Sequence, residues 1–187
     1  MDSPEDNAEL LRRCQRGDED ALTELVDRFE DRVYRLALRM AGDPALAQEV
    51  TADSFYKIWR NSSQWRGESN ADAWIFRIAV RAVLDLQRSR RRWRRRAQLA
   101  EPIENEVLGP HDLAVAREQQ QRVSDALQRA IGMLKEEDRL LVHFYYFEEQ
   151  GLREIAPILD VSRDALKMRL ARIRSKLKQS LENFDEQ

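Results

Sequence analysis

Seven side chains near the C-terminus have the types and spacing to grip a nucleic acid: Ser162, Arg163, Asp164, Lys167, Met168, Arg169 and Arg172. The chemistry is recognition, not bond making. Guanidinium and ammonium groups hold phosphates and set register, while residues in the first turns of a docked helix reach base edges. Ser162 suits an N-cap, because its hydroxyl can satisfy an orphan amide. Leu166, Leu170, Ile173 and Leu177 then form one apolar stripe at helical spacing. Asp164, Lys167, Met168, Ala171, Arg172 and Ser175 fall opposite, with Arg163, Arg169, Arg174 and Lys176 on the flanks. Upstream, Gly151 can cap a shorter helix with Glu154 at its third position and Leu152, Ile155, Ala156 and Leu159 inside. Pro157 lies beyond the first turn, where it removes one hydrogen bond and favours a kink. A short helix, a tight turn and a basic helix outline a helix-turn-helix, whose second helix lies in the DNA major groove. An ordinary amphipathic helix with a solvated basic face shares much of this pattern.

The elements that must position these residues are helical throughout. Of 187 residues, 35% are charged, and glycine and proline are scarce, which favours an all-α protein. Helical periodicity predicts elements over about Ser3–Arg16, Asp20–Ala41 and Pro44–Arg60, then from about Asn70 through an arginine tract. Asn61 to Ser69 reads as a loop, with Trp65 open between core packing and an exposed role and Trp74 assigned to the core. Residues 97–113 are acidic, hold Pro102, Gly109 and Pro110, and lose periodicity, so they are expected to form a flexible linker. The expected organisation is two small helical domains, 1–96 and 114–187. In the second, one helix carries Val123, Ala126, Leu127, Ala130, Ile131 and Leu134, and the next carries Leu140, Leu141, Phe144, Tyr145 and Phe147.

The net charge of −2 hides segregation: Arg77 to Arg96 holds nine arginines against one acid, Asp85. An acidic average therefore does not exclude a nucleic-acid partner. Cys14, His111 and His143 are too few and too scattered for a zinc site, and a single cysteine fits a reducing cytoplasm. The acidic N-terminus is not expected to act as a signal peptide, and no apolar run predicts membrane insertion. There is no phosphate-cradling glycine loop and no Ser-His-Asp set, so neither a catalytic site nor a cofactor is expected.

Taken in order, several segments resemble the extracytoplasmic-function (group 4) sigma factors of the sigma-70 family. In the first half these are Phe29 to Ala37, Gly42-Asp43, Phe55 to Trp59, Trp74 to Ala79 and Asp85 to Arg88. In the second they are Glu154-Ile155-Ala156 and Val161 to Leu170. The resemblance implies a non-enzymatic transcription-initiation factor that binds core RNA polymerase, through the beta-prime clamp helices and the beta subunit, together with promoter DNA. Glu49, Asp53, Tyr56 and Lys57 would meet the polymerase. The family pattern around them departs at Gln48 and Ala52. Asn61, Ser62, Ser63 and Gln64, with Arg77, Arg81 and Arg88, would read the minus-ten element. Arg90, Arg91, Arg92, Arg94 and Arg95 would hold DNA backbone. Ser162, Arg163, Asp164, Lys167, Met168, Arg169 and Arg172 would read the minus-thirty-five element, with Asp164 either accepting from a cytosine amine or capping its helix. The family's usual further partner is an anti-sigma factor. Rival readings are a free-standing helix-turn-helix regulator and a sigma-like interaction protein that does not direct transcription.

Overall fold

The computed structural model describes residues 6–67, 70–97 and 125–185. The expected linker lies, Ala97 apart, outside the described residues, as does Val123. Every regular element among the described residues is helical. The first half comprises α1 (Asn7–Gln15), α2 (Glu19–Ala41), α3 (Pro44–Asn61), a 3-10 turn (Ser62–Gln64) and α4 (Ala71–Ala97). In the second half residues 125–132 are helical (α5). There α6 (Glu136–Val142) runs on into a π-helical turn (His143–Phe147), followed by α7 (Leu152–Leu159) and α8 (Arg163–Asp185).

Short polar residues start the first three helices. Asp18 accepts from the amides of Asp20 and Ala21, and Asp43 from those of Ala45 and Leu46, with Pro44 in the first helical turn. The first helix begins at Asn7, not at the expected Ser3, because Asp6 takes extended backbone and accepts from the Ala8 amide. Gly42 ends α2 in the left-handed conformation (φ 67°), its N–H reaching the Leu38 carbonyl. Glu154 folds back to accept from the Gly151 amide at 2.7 Å, so the carboxylate half of a capping box forms at α7; glycine has no side chain to return it.

The apolar faces meet in one continuous cluster. Leu10, Leu25, Leu36, Met40, Ile58, Ile75 and Phe76 fill the first half; Leu140, Leu141, Phe144, Ile155, Leu166 and Ile173 fill the second. Each such burial is worth roughly 1.5–3 kcal/mol. Phe76 of α4 joins the two, edge-to-face with Phe29 at 5.8 Å and with Phe144 at 5.5 Å. Polar contacts line the same seam. Arg32 Nε donates to Glu148 Oε2 at 2.6 Å, and Arg91 pairs with Glu136 at 2.9 Å. Arg77 Nε donates to the Pro157 carbonyl at 3.0 Å, one of the last carbonyls of α7, which have no intrahelical partner.

Three aromatic residues depart from expectation or settle it. Trp65 is buried against α1, beneath the Arg12 guanidinium. Trp74 is only half-buried, packed on the edge of the core. Phe147 is exposed, and the Arg39 guanidinium lies over its ring at 3.9 Å.

Candidate nucleic-acid interface

In α8 the apolar stripe forms as predicted: Leu166, Leu170 and Ile173 are buried and Leu177 half-buried. Ser162 Oγ accepts from the Ala165 amide at 3.3 Å and caps the helix. The turn before it is made by Asp160, held left-handed at φ 55°, with its N–H and that of Val161 both reaching the Ala156 carbonyl. Asp is among the few non-glycine residues that accept this conformation. Burying one stripe of a straight helix forces the opposite stripe outward. Lys167, Met168 and Arg172 are accordingly exposed together, with Met168 71% exposed. Asp164 is exposed beside Arg163, at 3.7 Å. Arg169 differs: it is half-buried and turns back toward Asp138 of α6, at 3.6 Å. The exposed surface thus offers cations, a flexible thioether and a helix N-terminus, a combination suited to phosphates and base edges.

The loop after α3 is pinned from below. Gln15 Nε2 donates to the Ser62 carbonyl at 2.9 Å and to the Trp65 carbonyl at 2.8 Å. The Asn61 carboxamide donates to the Lys57 carbonyl and accepts from Gln64. Ser62 is buried, while Ser63 and Gln64 are exposed. Free hydrogen-bonding capacity therefore concentrates on Ser63 and Gln64. Sequence reading missed Gln15: nothing in α1 signals that one of its polar residues braces a loop some fifty positions away.

Glu49, Asp53, Tyr56 and Lys57 are spaced so that all four fall on the outer face of α3. Asp53 and Lys57 form an ion pair at 2.6 Å, and Glu49 and Tyr56 are exposed. Gln48 and Ala52 are exposed on the same helix.

The arginines of α4 divide by position. Arg77 is turned into the seam, whereas Arg81 is exposed. Arg88 pairs with Asp85 at 3.0 Å, and Arg90 donates to the Ala41 carbonyl at the end of α2. Arg91 meets Glu136, and Arg92 is exposed. The side chains of Arg94 and Arg95 lie outside the described set.

Sequence reading also missed the charged centre of the seam. Glu148 sits there with a side chain only 4% exposed, facing Arg32, Arg35 at 3.7 Å and His143 at 3.9 Å. Burial, and then Arg39, Arg35 and Arg32, push the His143 pKa down to about 3, so its ring is neutral. Cys14 is equally inert: burial raises its thiol to about 11. Among the described residues no cluster of side chains could hold a metal ion, and no helix is long and apolar enough to cross a membrane.

Comparison with known proteins agrees with this geometry. The family described as Sigma-70 region 2 matches residues 25–94, and Sigma-70 region 4 matches residues 124–177. The chain is 25% identical over 184 residues to the ECF RNA polymerase sigma factor SigW of Bacillus subtilis, covering 93% of this chain and 96% of that one. It is 29% identical over 178 residues to the ECF RNA polymerase sigma-E factor of Haemophilus influenzae, covering 92% and 94%. The same fold occurs in CnrH, solved in complex with the cytosolic domain of CnrY, with a TM-score of 0.65 at 22% identity over 95% of this chain and 97% of that one. It occurs also in RpoE of Bartonella quintana, solved with the anti-sigma factor NepR, with a TM-score of 0.66 at 18% identity over 86% and 96%. With both regions matched in order over well over half of its length, the chain belongs to the sigma-70 family, as an extracytoplasmic-function RNA polymerase sigma factor.

Proposed function

We infer that the chain acts as a promoter-specificity subunit: it binds core RNA polymerase, reads two promoter elements and helps melt the downstream one. The observation that carries this reading is the outward face of α8, where Lys167, Met168 and Arg172 stand free above a buried stripe. That face is the proposed reader of the minus-thirty-five element. Ser63 and Gln64, on a loop braced by Gln15, are the proposed contacts to a base exposed in the minus-ten element, with Arg81 and Arg92 on the backbone. Glu49, Asp53, Tyr56 and Lys57 on α3 are the proposed polymerase contacts. Residues 1–96 and 114–187 would then be the two working domains and 97–113 their connection. RNA synthesis itself would belong to the polymerase, so the chain would carry no enzymatic activity, and its place of work would be the cytoplasm. Because CnrH and the Bartonella quintana RpoE were each solved with a bound partner, an anti-sigma factor is the proposed regulator.

Run-off transcription with purified core polymerase and genomic promoter fragments tests the reading. The expected result is promoter-dependent transcripts and co-elution with core; absence of both overturns it. Arg172→Ala is expected to weaken minus-thirty-five recognition with core binding unchanged. Equal loss of both would remove Arg172 from the proposed reader.

A further inference from the structure

Between α2, α5 and α6 lies a crevice of about 280 Å³, none of whose lining residues is among the proposed promoter or polymerase contacts. Leu38, Ile131 and Val142 give it apolar walls, and Arg35, Arg39 and Arg139 line it from both sides of the seam. The nearby carboxylates face other arginines: Glu148 is 2.6 Å from Arg32, and Glu136 is 2.9 Å from Arg91, although Glu136 Oε1 is buried without a hydrogen bond. Among the described residues, neither Arg39 nor Arg139 has a carboxylate within ion-pair distance. Arg139 is 9% exposed, and its Nε is buried without a hydrogen-bond partner, as are both ring nitrogens of His143 in the same wall. Burial lowers the pKa of both guanidiniums. Arg35 pushes Arg39 the same way and Glu148 offsets part of this; at Arg139, Glu136 offsets part of the burial and Arg91 adds to it. Desolvated cations with no carboxylate at ion-pair distance are costly, and an anion placed between them relieves that cost.

We propose that this crevice binds a small organic anion with an apolar body, an aromatic or short aliphatic carboxylate whose charged end meets Arg39 and Arg139. A planar guanidinium fork matches a carboxylate with two parallel hydrogen bonds. The apolar walls hold the remainder, in the usual division of labour of a ligand pocket. Because Arg39 belongs to α2 and Arg139 to α6, the ligand bridges the two halves of the chain.

Titration calorimetry on the full chain with 4-phenylbutyrate as probe tests this. Saturable binding is expected, at least about tenfold tighter than for 4-phenylbutan-1-ol, which has the same body without the charge. R139Q is expected to weaken it about tenfold or more. R39Q, at a partly exposed position, gives the same test should R139Q fail to fold. Equal affinity for acid and alcohol, wild-type binding in a folded R139Q or R39Q, or no saturable binding overturns the proposal. Binding that appears only after Glu101, Glu104 and Glu106 are changed to Gln overturns it too, since the occupant would then be the chain's own acidic stretch.

Discussion

The Arg32–Glu148 pair should be the strongest polar contact in the seam, and a double-mutant cycle measures it. Glu148 is 4% exposed and receives a 2.6 Å hydrogen bond from Arg32, whose side chain is 29% exposed. Breaking a buried pair from one side costs about 3–5 kcal/mol, because the remaining charge is stranded. Arg32 keeps partial contact with water, which lowers the figure. Its guanidinium also lies over the Phe76 ring at 4.5 Å, a contact that Glu148→Gln leaves intact. About 2–3 kcal/mol is therefore expected for Glu148→Gln in urea unfolding at neutral pH. Arg32→Met should cost a similar amount, and the double variant clearly less than the sum, with a coupling of about 2 kcal/mol. Screening reaches buried pairs weakly, so the coupling should survive 0.5 M salt. Arg91–Glu136 is the internal contrast, because the Arg91 side chain is 62% exposed; its coupling should stay below about 1 kcal/mol and shrink with salt. A coupling for Arg32–Glu148 below about 0.5 kcal/mol would refute the reasoning, since it would mean that the seam does not hold the pair desolvated.

Three further outcomes follow from single contacts. Ser162→Ala removes the α8 cap and should cost about 1 kcal/mol in urea unfolding, with Ser162→Gly milder by most of that amount. Phe76→Ala empties the bridge between Phe29 and Phe144 and should cost about 3–5 kcal/mol, read as a lower thermal midpoint. His143, faced by Arg32, Arg35 and Arg39 of α2 and by Glu148, has a folded pKa near 3 against an ordinary 6.5. A depressed folded value means the folded state rejects the proton. The stability is full above pH 6.5 and falls as pH drops through the interval toward 3, by about 2 kcal/mol between pH 7 and pH 5. His143→Phe should flatten that part of the urea-midpoint profile, and an unchanged profile would show that His143 is not its source.

Local structure was legible because its causes are local. Asp43-Pro44, Gly42 and Ser162 each cap or end a helix through atoms within four positions, so the sequence carries the whole interaction; Asp18 caps α2 in the same way, although its segment reads only as a break. The α8 stripe was legible for the same reason. The seam was not. Arg32 and Glu148 are 116 positions apart, and on a helical wheel Arg32 is indistinguishable from a solvated arginine. Trp65 is similar: its burial depends on α1 lying beneath the loop, a fact about packing. Arg169 shows the finer limit. The wheel puts it on a flank of the basic face, but only the position of Asp138 decides that it turns inward.

The basic tract of α4 is partly engaged within the chain, and this bears on how its proposed DNA contacts could form. Arg77 caps the end of α7, Arg90 caps the end of α2, and Arg91 meets a carboxylate of α6. Carbonyl ends and carboxylates offer a guanidinium the same kind of partner as a phosphate, so the proposed DNA contacts of Arg77 and Arg91 would compete with the closed seam. The two differ in their response to salt. Phosphate contacts weaken steeply as counterions are added, whereas Arg32–Glu148 and the apolar contact around Phe76 are shielded from them. Raising salt should therefore release the DNA before it opens the seam. Partners that part the two halves would act in the other direction, by freeing Arg77 and Arg91 for a phosphate backbone.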